Sequence, residues 1–174
     1  MNTCTTDNCI SNNPNAYALE RARLAGVPGA VITKKECGSQ EAFEDALQAV
    51  LERNGTDLII LAGFMSILSE AFTKQWPERI INIHPSLIPS FCGKGFYGLK
   101  VHEAALARGV KVSGATVHYV NEIPDGGQIL LQKAVEVREG DTPEILQRRI
   151  MEEAEWKLLP QAVAMVSTMI AKEK

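Results

Sequence analysis

Hydrophobic and polar positions along this chain switch repeatedly between a helical spacing and short unbroken apolar runs. That switching predicts a βα succession. Residues 16–25 read as a short helix, with Pro14 as its first helical residue after Asn13 and Gly26 as its stop. Residues 30–33 form a brief strand. Ser39 caps a helix running to Arg53, in which Phe43, Leu47, Ala49 and Leu51 stand among polar positions and Asn54-Gly55 ends the run. Residues 58–62 are continuously apolar, as expected of a strand covered on both faces. A short helix follows at 69–76 and a strand at 80–83. Residues 101–108 are helical and closed by Gly109, and strands at 116–120 and 129–137 flank a long acidic loop at 121–128. Thr142-Pro143 opens a long last helix, which Pro160 should kink or interrupt.

The chain has 174 residues, which predicts one domain with a real core. A net charge of −3 and a pI near 5.7 give no broad basic surface for nucleic acid. The longest apolar runs are too short to span a bilayer, and no charged n-region leads an apolar segment at the start. The four cysteines, Cys4, Cys9, Cys37 and Cys92, form no CxxC pair and have no histidine at ligand spacing. Reduced thiols in the cytoplasm, with no metal, are the expectation.

Candidate chemistry gathers at Asn82-Ile83-His84-Pro85-Ser86-Leu87-Ile88-Pro89. Asn82 and His84, two apart at a strand end, share one face of the sheet. The prolines stop the strand and stiffen the loop beyond it. An amide and an imidazole so placed can polarise a carbonyl and deliver a proton, as acyl transfer to an amine requires. Taken singly, each also reads as a structural polar group. Asp125, before Gly126-Gly127, is a turn residue by type, but set beside His84 it would favour the protonated ring. Thr116 and His118 alternate onto one face of their strand, as supports of the site or as core polar residues. His102 reads as structural or surface. Residues 91–99 hold three glycines and read as a functional loop.

Leu61-Ala62-Gly63-Phe64-Met65, the Asn82–Pro89 run, Gly114 to His118 and Asp125-Gly126-Gly127 together resemble the phosphoribosylglycinamide formyltransferase family over roughly residues 10–166. The resemblance implies an α/β fold of the three-layer, Rossmann-like formyltransferase type: a mainly parallel sheet, a C-terminal hairpin-like addition and a long last helix. It implies transfer of a formyl group from 10-formyltetrahydrofolate to the amine of glycinamide ribonucleotide in purine synthesis. Asn82, His84 and Asp125 fall on the family's catalytic triad, with Thr116 and His118 in support, and Pro89 follows a cis peptide in relatives. The folate site maps to Met65, Ser66, Ile67 and Leu68, to Asn82, and to Asn121, Glu122, Ile123, Pro124 and Asp125. Gln40 stands where relatives carry an arginine for the folate tail. Glu152 and Glu155 align with contacts to the substrate's ribose and amide, although three acids in four residues also read as a solvated helix face.

One departure is large. Relatives open with a strand, a Gly- and Ser-rich phosphate loop and a helix, whereas Ile10 to Pro14 here match the end of their second strand. The resemblance thus implies that the first strand-loop-helix unit is missing, which leaves the activity of this form open. Either the sequence is an incomplete form of a longer protein, or another chain, as in a homodimer, supplies the missing elements. Two alternatives are a non-catalytic folate-binding remnant and another folate-dependent formyl handler, either a methionyl-tRNA formyltransferase or a formyltetrahydrofolate deformylase.

Overall fold

The computed structural model describes residues 5–173, so Cys4 lies outside the described residues. These residues fall into two compact units that divide between Asp57 and Leu58.

The first unit is a βαβ arrangement followed by two helices. Strand β1 (Cys9–Ser11) pairs in parallel with β2 (Gly29–Val31), and α1 (Tyr17–Leu24) connects them. Pro14 is not helical. The Asn13 side chain accepts the Asn15 N–H at 3.0 Å, an Asx turn that delays the helix to Tyr17. Strand β2 ends before Thr33, because that hydroxyl caps a short helix, α2 (Lys34–Cys37), by accepting the Glu36 N–H. Ser39 caps α3 (Gln40–Arg53) in the same way, and Phe43, Leu47 and Leu51 are its buried stripe.

The second unit is a four-stranded sheet in the order β3 (Ile59–Leu61), β4 (Ile80–His84), β5 (Val112–Tyr119), β6 (Ile129–Glu136). Helix α4 (Glu70–Thr73), capped by Ser69, lies between β3 and β4 in sequence. Only β3 and β4 run parallel in this sheet. After β4 the chain passes through a loop and α5 (Leu99–Arg108) and re-enters at the end it left, so β5 runs antiparallel to β4 with Thr116 opposite His84. Within this unit β3 and β4 form the parallel pair, and β5 and β6 add to them as an antiparallel hairpin. Ile60, expected to be covered on both faces, is 40% exposed, because β3 is an edge strand of this unit.

The last helical rod consists of α6 (Pro143–Ile150), a π turn (Met151–Glu155) and α7 (Trp156–Glu173). Its core stripe recurs every fourth residue: Leu146, Ile150, Ala154, Leu158, Ala162, Val166 and Ile170. Four residues of α-helix overshoot a full turn by about 40°. The π turn holds more residues per turn and takes back part of that drift, so one stripe stays on the sheet. Pro160 lies inside α7, where it cannot donate to the carbonyl one turn back, and the irregular turn sits just upstream of it. Across the interface Ile81 and Ile83 of β4 and Ala115, Val117 and Val135 of β5 and β6 complete the core. Their neighbours Asn82, His84, Thr116 and His118 consequently face the other side.

Candidate active site

Backbone pairing across two strands builds the centre of the site. Asn82 lies opposite His118 and His84 opposite Thr116 in the antiparallel register of β4 and β5. His118 donates from Nδ1 to the Tyr119 carbonyl at 2.7 Å, which leaves Nε2 to accept from the Asn82 amide at 3.2 Å. That contact orients the Asn82 carboxamide, and Asn82 lines the pocket.

His84 is held from the loop beyond its strand. Its Nε2–H donates to the Phe91 carbonyl at 2.9 Å, so Nδ1 is the nitrogen left facing Asp125. Nδ1 lies 3.6 Å from Asp125 Oδ2, and Asp125 Oδ1 is equally far from His118 Nε2. Oδ2 also accepts the Gly93 N–H at 2.7 Å. Burial opposes ionisation of Asp125, but its contact with His118, the Gly93 N–H and the nearby charge of His84 together hold the carboxyl below its usual range. Phe91 and Asp125 both sit in the left-handed region, at φ 51° and 56°. Each costs about 1–2 kcal/mol relative to ordinary backbone, and each places a group on His84.

Thr116 fastens the loop over the strand ends. Its hydroxyl donates to the Ser86 carbonyl at 2.7 Å and accepts the Ile88 N–H and the Gln132 amide. Ser86 donates to the Ser90 carbonyl at 2.6 Å, and the Ile88–Pro89 peptide is cis.

Around this centre lies a cleft of about 480 Å³, within the range of small-molecule sites. Met65, Ser66, Ile67 and Leu68 form one wall. Asn121, Ile123, Pro124 and Asp125 form another, with the loop 93–98 and Gln147, Met151 and Glu155 completing it. Met65, Ile67 and Ile123 are more than half exposed, an apolar rim suited to a flat ring system. Burial pushes the Glu155 carboxyl up to about 7. Among the described residues no cluster of histidine, cysteine, aspartate or glutamate could hold a metal ion, and no helix is long and apolar enough to cross a membrane.

Residues 4–163 match the formyl transferase family. The chain belongs to that family. Phosphoribosylglycinamide formyltransferase of Haemophilus influenzae is 38% identical over 154 residues, which is 88% of this chain and 70% of that protein. The trifunctional purine biosynthetic protein adenosine-3 of Bos taurus is 45% identical over 159 residues. That match spans 91% of this chain but only 15% of the much longer relative. The crystal structure of glycinamide ribonucleotide transformylase 1 from Symbiobacterium toebii superposes with a TM-score of 0.86 at 43% identity, over 92% of this chain and 73% of that one.

Measured against the formyl transferase reading, most residues named from the sequence converge on the cleft. Three do not. The Glu152 carboxylate accepts from Arg148 Nε at 2.9 Å on the outer face of the rod, since the π turn sends Glu155 rather than Glu152 inward. Glu122 is exposed and does not line the cleft, while its neighbours Asn121 and Ile123 do. Gln40 belongs to the first unit, where its amide donates to Glu44 at 2.5 Å. Cys92 donates to the Pro89 carbonyl at 3.3 Å, and burial with Asp125 nearby pushes its thiol up, so it is no nucleophile.

Sequence reasoning missed the Phe91 carbonyl and the Gly93 N–H, which no side-chain pattern reports. It also missed Gln147 and Met151. These two and Glu155 each follow a core position of the fourfold stripe by one residue, a signal that was readable.

Proposed function

We propose that this chain transfers the formyl group of 10-formyltetrahydrofolate to the amine of 5-phosphoribosylglycinamide, a step of purine synthesis. The observation that carries the proposal is the convergence of Asn82, His84 Nδ1 and Asp125 on one wall of the cleft. The family and the relatives' names support it. The substrate amine attacks the formyl carbon, and charge builds on the formyl oxygen. An Asn82 N–H and a proton on His84 Nδ1 would meet that charge. Asp125 would keep the proton on His84. As the carbon–nitrogen bond to the folate breaks, the proton lost by the attacking amine passes to the leaving folate nitrogen. The apolar rim at Met65, Ile67 and Ile123 would take the folate ring, and Glu155 would accept from ribose hydroxyls. The cytoplasm is the expected compartment, in keeping with three unpaired cysteines among the described residues.

Formyl transfer by this chain, measured beside His84→Ala, tests the proposal. Turnover in the parent and a loss of about 100- to 1,000-fold in the variant is the expected result. Folate binding without turnover would instead make the chain a non-catalytic binder.

A further inference from the structure

Two carboxyl groups, Asp125 and Glu155, line the cleft, and Asp125 faces His84 and His118. Asp125 is ionised and Glu155 is close to ionising at neutral pH. Against them, Lys94 is the only lysine or arginine in the lining among the described residues. Yet both reactants proposed above end in anions, a phosphate on one and carboxylates on the other. A dianion entering a cleft of low dielectric beside carboxylates needs a cation of its own.

Lys94 is placed for that task by its loop. Gly93, immediately before it, is fixed by its N–H bond to Asp125, and Gly95, immediately after, takes φ 96°. Two residues on, the Phe96 ring packs edge-on against Phe91, 6.3 Å between centroids. Tyr97 is held by Lys100, which donates to its hydroxyl at 2.8 Å and lies over its ring. The loop is therefore anchored at both ends of a short arc. Lys100 is committed to Tyr97, whereas Lys94 is exposed and has no ion-pair partner among the described residues.

We propose that Lys94 is a specificity residue that receives the anionic end of a reactant, a phosphate or a carboxylate, at the mouth of the cleft. The proposal rests on the formyl-transfer reading for the identity of the reactants, but not for the chemistry of the group bound. Lysine suits the role as a compact charge on a flexible stem, able to follow an anion without a fixed fork geometry.

Binding constants decide it, measured for the parent, Lys94→Met and Lys94→Arg. Four ligands are used: the folate donor with its glutamate or with a simple uncharged amide in its place, and the ribonucleotide with and without its phosphate. Lys94→Met is expected to weaken the anionic member of one pair about tenfold and to leave its neutral counterpart unchanged. Lys94→Arg should retain most of the affinity. Loss confined to the glutamylated folate assigns the tail, and loss confined to the phosphorylated acceptor assigns the phosphate. Equal losses for charged and uncharged members, or no loss at all, overturn the proposal. Should the parent bind neither reactant, the formyl-transfer reading fails, and titration with inorganic phosphate still decides on Lys94. Amide shifts over residues 93–98 that vanish in Lys94→Met uphold it, and their absence overturns it.

Discussion

Asp125 Oδ2 stands 3.6 Å from His84 Nδ1 while accepting the Gly93 N–H at 2.7 Å, so one oxygen both fixes a loop and faces the imidazole. Replacing Asp125 by asparagine separates the two tasks. An asparagine oxygen still accepts from Gly93, and asparagine tolerates the left-handed backbone at φ 56°. Only the charge beside His84 is lost. We expect Asp125→Asn to keep its fold and its affinity for the folate donor while kcat falls about 100-fold, the scale of one displaced transition-state contact. Steady-state kinetics beside a thermal melt check this, and an unchanged kcat would remove Asp125 from the reaction.

The turn after Asp125 depends on a glycine for space rather than for dihedral freedom. A Cβ at Gly127 would lie 1.8 Å from the Tyr119 carbonyl oxygen, and backbone cannot swing aside as a side chain does. Tyr119 is itself bound across this neck, its N–H donating to Gln128 at 2.8 Å. Gly127→Ala should therefore push residues 121–127 off the end of β5, costing about 1–3 kcal/mol as an overpacked site does. Turnover should drop with it, since Asp125 moves with the turn. Denaturant unfolding and the activity assay together test this. A variant as stable and as active as the parent would show that the close approach can relax freely.

Strand alternation made the candidate face readable. Once Ile81 and Ile83 are assigned inward, Asn82 and His84 must share the opposite face, and the same logic carries Thr116 and His118. What alternation cannot report is which strands meet, so the hydrogen bond between Asn82 and His118 came only with the register. The direction of β5 was hidden for a similar reason. A loop with a helix can return a chain to either end of a sheet, and nothing local to residues 112–119 records which. His102 was read as structural or surface, and it is fully buried, with burial pushing it down to about 4 and its ring nitrogens without partners. The π turn was the least legible element. It trades the helical period for a fourfold stripe, and with it the choice between Glu152 and Glu155. Adjacent acids look alike in sequence until the pitch of the helix beneath them is known.

Glu155 also gives the site a pH signature whose sign follows from its burial. Its carboxyl is raised from 4.5 to about 7 in the folded chain. Between those values the folded state keeps a proton that the unfolded state releases, so stability declines as pH rises and levels off above about 7. Glu155→Gln removes the group and its penalty. The variant should match the parent near pH 5 and exceed it near pH 8 by on the order of 2 kcal/mol, read from urea unfolding at both values. Acceptor binding should respond in the opposite sense. If the ionised carboxylate takes ribose hydroxyls, the parent's KM for the ribonucleotide falls as pH passes through about 7, and Glu155→Gln holds it high and flat. A parent KM that ignores pH, with the stability difference still present, would leave Glu155 as a buried acid beside the cleft and not as part of the acceptor's site.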